Sequence, residues 1–113
     1  MLSASNRLRL GRDFSKTTKT GHRATSSLLV LYFLTHAQFP VAPQIGFIIN
    51  KSVGGSVARH RIARQLRHAI ASQLAELPTH TQIVVRVLKN HPDYREDLSQ
   101  LITKVINRTG AQQ

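Results

Sequence analysis

The chain contains no cysteine and no tryptophan, and only five acidic residues stand against sixteen lysines and arginines. The missing cysteine excludes disulfides, thiolate metal sites and cysteine nucleophiles. No apolar run approaches the ~20 residues of a membrane-spanning helix; the longest, Leu28 to Leu34, is strand-sized. Aromatic residues are also few, four Phe and two Tyr, so each one is a candidate for a specific role.

What is present is positive charge. The formal charge is +11 and the pI near 11.6. Such an excess destabilises a small fold by self-repulsion, and a phosphate backbone is the usual neutralising partner. A length of 113 residues and 41% hydrophobic content fit one folded domain, 1–113, rather than a disordered basic tail. Polar ends at about 1–6 and 109–113 are expected to be flexible. Residues 1–75 hold eleven of the sixteen basic residues and a single acid, Asp13, so the binding surface is expected there. The basic, Ser- and Thr-rich N-terminus has transit-peptide composition, but Asp13 and Phe14 interrupt it and suit a folded element. The expectation is a cytoplasmic protein with no membrane attachment.

The pattern along the chain predicts a helix from Arg12 to Thr20 stopped by Gly21, then a strand over His22 to Thr35. Gln38 to Pro43 reads as a loop and Ile45 to Asn50 as a second buried strand. Ser56 is a plausible N-cap for a helix over Val57 to Leu77, with Ile62, Leu66, Ala69, Ile70, Gln73 and Leu77 on its apolar side. Gln82 to Leu88 is a third strand. Tyr94 to Asn107 is a closing helix with Leu98, Leu101, Ile102, Val105 and Ile106 inward and Gly110 just past its end. Strand–helix–strand from Ile45 to Leu88 suggests a crossover between parallel strands.

The densest charge lies in Lys51 to His68, with Lys51, Arg59, Arg61, Arg64 and Arg67 and no acid. On a helical wheel His60, Arg61, Arg64, Arg67 and His68 lie opposite the apolar stripe, and Arg59 projects from the first turn. Guanidinium groups are planar, permanently charged and bidentate toward phosphate. Arg59 and Arg61 oppose the helix dipole, at a cost of about 0.3–1 kcal/mol each, which a merely solvated face has no reason to bear. Gly54 and Gly55 allow close phosphate approach but lack the spacing of a nucleotide-triphosphate loop.

Chemistry within the protein has little support. Asp93, Glu96 and Asp97 gather at the start of the closing helix, where they suit its dipole; a magnesium site is the alternative reading. None of the six histidines has metal-ligand spacing. His60 and His68 share the cationic face, where phosphate contact competes with acid–base cleavage of RNA.

The run Lys51-x-Val53-Gly54-x-Ser56-Val57-x-Arg59-His60-Arg61-Ile62-x-Arg64-x-Leu66-Arg67 resembles the signature of the bacterial ribonuclease P protein subunit. Asn6-Arg7-Leu8, Asp13-Phe14, Gly21, Val30-Leu31-Tyr32 and Ile45-Gly46 resemble the same family's flanking segments, so the resemblance spans residues 6–107. It departs at His60, where the family carries Asn, at Ala63, usually basic, and at Thr18, often aromatic.

The resemblance implies an α+β fold: a small α/β two-layer sandwich of about four strands and three helices, like a ribosomal-protein domain. It also implies a left-handed βαβ crossover, against the right-handed rule. It implies an accessory subunit of an endoribonuclease that binds a catalytic RNA and the 5′ leader of precursor tRNA, without an obligate protein partner. Hydrolysis would fall to the RNA, with magnesium held mainly by it. Lys51, Arg59, His60, Arg61, Arg64, Arg67 and His68 would contact RNA, with Arg7, Arg9 and Arg12 as N-terminal contacts. Phe14, Tyr32 and Phe47 would line a leader cleft, stacking on bases; ordinary core packing is the other reading of these aromatics. A ribosomal or general RNA-binding protein of similar fold is the alternative function.

Overall fold

The computed structural model describes residues 6–8 and 11–111, with the side chains of residues 12, 13 and 109–111 outside that description. Most of the two polar ends, and Arg9, therefore lie outside the described residues. Three helices, α1 (Gly11–Thr20), α2 (Ser56–Ala71) and α3 (Arg95–Ala111), accompany four strands: β1 (His22–Thr25), β2 (Leu29–Thr35), β3 (Gln44–Ile48) and β4 (Thr81–Val87). The mixed sheet has the order β1-β2-β4-β3, antiparallel except for the β3–β4 pair. The chain between those parallel neighbours runs through α2, as the strand–helix–strand pattern predicts.

Strand alternation divides the sheet into two faces. Leu29, Leu31 and Phe33 of β2, Ile83, Val85 and Val87 of β4 and Ile45 of β3 point to one face and build the main core with α2 and α3. Ile62, Leu66, Ala69 and Ile70 supply the α2 side, and Leu98, Leu101, Ile102 and Val105 the α3 side, in keeping with their helical spacing. The other face carries α1. There Thr17 is fully buried and its hydroxyl donates to Gln82 Oε1 at 3.4 Å.

Four sequence expectations are corrected. His22 to Thr35 is a hairpin of β1 and β2 rather than one strand. Ser26 makes the turn: its hydroxyl accepts from the amides of Leu28 and Leu29, and its own amide donates to Leu29 O at 2.8 Å. The N-cap of α2 is Gly55 in extended conformation, with no side-chain cap, and Ser56 is the first helical residue. The same helix stops at Ala71, where the Ser72 hydroxyl donates to Ala69 O at 2.7 Å, and Leu74–Glu76 forms a separate 3₁₀ turn. The last helix does not end before Gly110 but continues through it to Ala111.

On the free edge of β3, Arg7 forms a parallel bridge with Ile45, and the Leu8 amide donates to Ile45 O at 3.0 Å. The N-terminal segment thus occupies part of an edge that would otherwise expose unpaired backbone groups. It also brings Arg7 alongside α1 and α2.

Candidate RNA-binding site

A cavity of about 590 Å³ opens at this edge. Its walls are Arg7 and Leu8 of the N-terminal segment, Phe14 of α1, Ile45 to Phe47 of β3 with Ile49, and Ser56, Arg59, His60, Ala63 and Arg67 of α2. Steps of four and three residues put Arg59, Ala63 and Arg67, with His60, along one side of α2. Among the described residues, no carboxylate lines the cavity. The Nε atoms of Arg7 and Arg59 are buried without a hydrogen-bond partner, so both arginines carry donor capacity that the protein itself leaves unused.

Gly46 makes the aromatic wall possible. A Cβ there would lie 2.2 Å from Phe14 Cζ, so the ring rests against bare strand backbone. Phe47, on the opposite face of β3, packs on the main core and still reaches the cavity at the sheet edge. Tyr32 stands elsewhere: it is half-buried on the α1 side of β2, with the Arg86 guanidinium 6.0 Å from its ring centre. Thr18 turns its hydroxyl back to Phe14 O and Ser15 O, leaving its methyl group rather than an aromatic ring in the position one turn after Phe14.

The opposite side of α2 has a different character. Arg64, Gln65, His68 and Ala69 form a second hollow, about 390 Å³, with Pro92 to Arg95. Arg64 and His68 are exposed, whereas Tyr94 is buried and its hydroxyl donates to Lys89 O at 2.7 Å. This hollow presents Arg64 and His68, together with the Asp93 carboxylate that Arg95 pairs at 3.1 Å, and no accessible Phe or Tyr face. Arg61 faces the same loop, with Nη2 donating to Asn90 Oδ1 at 2.6 Å and Nη1 to Gln65 Oε1 at 3.1 Å. Lys51 is exposed in the 3₁₀ turn Lys51–Val53 and lines neither hollow.

The structure thus brings Phe14, Phe47, Arg7, Arg59, His60 and Arg67 together, and sets Arg64 and His68 on the far side of one helix. Arg12 lies in α1, but its side chain is outside the described residues, as is Arg9 altogether. Sequence reasoning placed Ser56 as an N-cap and in the signature and Gly46 in a family-like strand, but gave neither a place in the site, and it did not single out Asn90. A glycine inside an aliphatic strand was the available signal for Gly46. Nothing in spacing links Asn90 to Arg61, 29 positions apart. Among the described residues, no group of three or more His, Cys, Asp or Glu could hold a metal ion, and no helix is long and apolar enough to cross a membrane.

A family model described as Ribonuclease P matches residues 2–110. The ribonuclease P protein component of Acidothermus cellulolyticus is 41% identical over 88 residues, covering 78% of this chain and 73% of that protein. The corresponding protein of Streptomyces bikiniensis is 34% identical over 118 residues, covering 94% of this chain and 96% of its own. Among solved structures, the ribonuclease P protein from Thermotoga maritima matches with a TM-score of 0.76 at 24% identity, over 88% of this chain and 96% of that one. The Staphylococcus aureus ribonuclease P protein matches at 0.72 and 18% identity, over 92% and 94%. At such identities the two structures speak for the fold alone.

Proposed function

This chain belongs to the bacterial ribonuclease P protein family and is a protein subunit of that enzyme, and from that premise we propose how its surfaces divide the work. The edge cavity takes the single-stranded 5′ leader of precursor tRNA. The outer side of α2, through Arg64 and His68, lies against the catalytic RNA, with Lys51 of the preceding turn as a further contact.

One observation carries this reading: Phe14 and Phe47 share a cavity with Arg59, His60 and Arg67, and among the described residues no carboxylate lines it. Aromatic faces beside guanidinium groups suit unstacked bases and their phosphates, with little sequence preference. The second hollow offers Arg64 and His68 with no accessible Phe or Tyr ring, its carboxylate, Asp93, being held by Arg95; that suits the phosphates of folded RNA, where shape and backbone dominate recognition. The family signature helix therefore stands between two RNAs.

The protein's part is to bind and position. Bond cleavage is assigned to the partner RNA with its magnesium ions, and Asp93, Glu96 and Asp97 to the start of α3, where their charge complements the helix dipole. The cytoplasm, where precursor tRNA is processed, is the proposed location.

Reconstitution tests the reading. Protein alone should not cleave precursor tRNA, and adding the organism's own catalytic RNA at low magnesium should restore 5′ processing. Phe14→Ala should reduce the preference for precursor over mature tRNA. Equal binding of precursor and mature tRNA by the wild-type complex would instead mark a general RNA-binding protein.

A further inference from the structure

Arg64 and His68 account for contact between the outer side of α2 and RNA phosphates, but not for the room beside them. The hollow they border has a volume of about 390 Å³ and reaches the buried Ala69. Two rows of α2 build one side of it. Arg64 and His68, four residues apart, form the exposed rim, and Gln65 and Ala69 form the adjoining row. Pro92 to Arg95 close the other side. The space depends on an alanine at position 69, since a longer side chain there would reach into it.

The walls hold this shape unaided. Gln65 Nε2 donates to Pro92 O, which ties the helix to the loop. The Tyr94 hydroxyl accepts from the His91 amide at 2.9 Å and donates to Lys89 O. The Asp93 carboxylate is taken by the side chain and amide of Arg95. Among the described residues, the Arg64 guanidinium and the His68 imidazole have no hydrogen-bond or ion-pair partner. What faces the space is therefore two free donor groups at the rim, the exposed Pro92 ring and the Ala69 methyl group.

That combination fits one class of occupant. A phosphate alone would use the donors and need no depth. An extended peptide would look to the loop carbonyls of Lys89, His91 and Pro92, each of which already accepts from a side chain. A nucleotide brings a flat base for the apolar wall and phosphates for the rim. The volume lies in the ~300–1,000 Å³ range of ordinary ligand sites. Unstacked bases of folded RNA are held against guanidinium planes, and Arg64 supplies one on the helix side, with Pro92 on the loop side.

We infer that the hollow receives one unpaired nucleotide of the catalytic RNA, its base against Pro92 and Ala69 and its flanking phosphates on Arg64 and His68. The inference rests on the placement of the outer side of α2 against that RNA, and adds a register. Phosphates repeat along every helix of the RNA, whereas one extruded base marks a single position. Capturing it fixes the protein at one place, and so fixes where the edge cavity lies relative to the cleavage site.

The test measures catalytic-RNA affinity against salt and maps base reactivity in the same complexes. Ala69→Leu fills the hollow and leaves every cation in place. It should weaken binding roughly tenfold at every salt concentration, the scale of one lost base stack. Its plot of log affinity against log salt should run parallel to that of the wild type, whereas Arg64→Ala lowers the slope. In the wild-type complex one unpaired base of the RNA should become unreactive to base-modifying reagents, and Ala69→Leu should restore its reactivity. Making that nucleotide abasic should cost the wild type the same tenfold and Ala69→Leu nothing further. The abasic RNA decides the matter even if Ala69→Leu fails to fold. Unchanged wild-type affinity for the abasic RNA, or protection of backbone alone, would overturn the inference. So would full affinity in Ala69→Leu, which would leave the hollow to another ligand such as an acidic peptide. In those cases a lowered slope in Arg64→Ala would still keep the RNA on this face. An unchanged slope with no protected base would remove the RNA from the outer side of α2 altogether.

Discussion

Arg61 and Asn90 are joined by a 2.6 Å hydrogen bond from the guanidinium Nη2 to the amide oxygen, which fastens the first half of α2 to the loop between β4 and α3. Gln65 completes the clasp: its Oε1 accepts from Arg61 Nη1, and its Nε2 donates to Pro92 O at 3.1 Å. One arginine at the centre of the basic signature thus serves the protein's own architecture, while Arg64 and Arg67, three and six positions further along the helix, remain available to RNA.

Asn90→Ala should therefore behave as a stability variant. Losing one exposed charge-to-amide contact is expected to cost about 0.5–1.5 kcal/mol and to lower the melting temperature by a few degrees. The slope of log affinity for the catalytic RNA against log salt should not change. A changed slope with an unchanged melting temperature would place Arg61 on RNA instead.

Arg64→Ala and Arg67→Ala should do the opposite. The first is expected to weaken catalytic-RNA binding and the second leader binding, each reducing the salt slope for its own RNA by about one unit for each lost phosphate contact, with little change in melting temperature. Binding isotherms at several salt concentrations measure this directly. Unchanged slopes in both variants would contradict the proposed faces of α2.

Gly46→Ala should disturb both stability and leader binding. Its methyl group would overlap the Phe14 ring, whose side chain can swing away only by leaving the cavity wall; the expected cost is about 1–3 kcal/mol. Gly21→Ala should be worse, since the new Cβ would lie 2.4 Å from Thr17 O and 2.6 Å from Phe33 O, both backbone atoms. Chemical denaturation ranks the two. Of the pair, only Gly46→Ala should impair precursor-over-mature discrimination under conditions where the protein is still folded.

Two adjacent residues set opposite ends of the pH profile. The Asp93 carboxylate is held below its ordinary pKa chiefly by the hydrogen bonds it accepts from the Arg95 side chain and amide. It stabilises the fold above the ordinary aspartate range, and that contribution disappears as pH falls below about 4. Burial pushes the Tyr94 phenol up, against the lowering effects of the His91 amide and the Arg61 charge. The unfolded phenol ionises first, so stability is complete below about pH 10 and declines as pH rises past it. Asp93→Asn should flatten the acid arm alone and Tyr94→Phe the alkaline arm alone, as read from melting temperature against pH.

The elements that the sequence displayed well are those with a single repeating signal. Ile62, Leu66, Ala69 and Ile70 announce the buried side of α2 because one helical period governs them. The β1–β2 hairpin stayed hidden because its turn is made by the Ser26 hydroxyl, with neither Gly nor Pro to punctuate the run. At the site, the arginines and Phe14 were legible one by one. Their grouping was not, because α2 distributes its cations to two sides according to what packs beside it, and Gly46 and Asn90 matter only through partners remote in sequence.

The position of β4 at the centre of the sheet has a consequence for how the molecule is made. The strand that pairs with both β2 and β3 is the last of the four in the chain. During synthesis the hairpin, β3 and the whole basic helix emerge before the strand that unites them, so the sheet closes only through late, long-range pairing. Until residue 87 has left the ribosome, the arginines of α2 belong to a nascent segment without a fixed frame, in a cell crowded with RNA. A competent RNA surface thus appears in one cooperative step once β4 has emerged, and a chain cut short before β4 would carry the charge without the site.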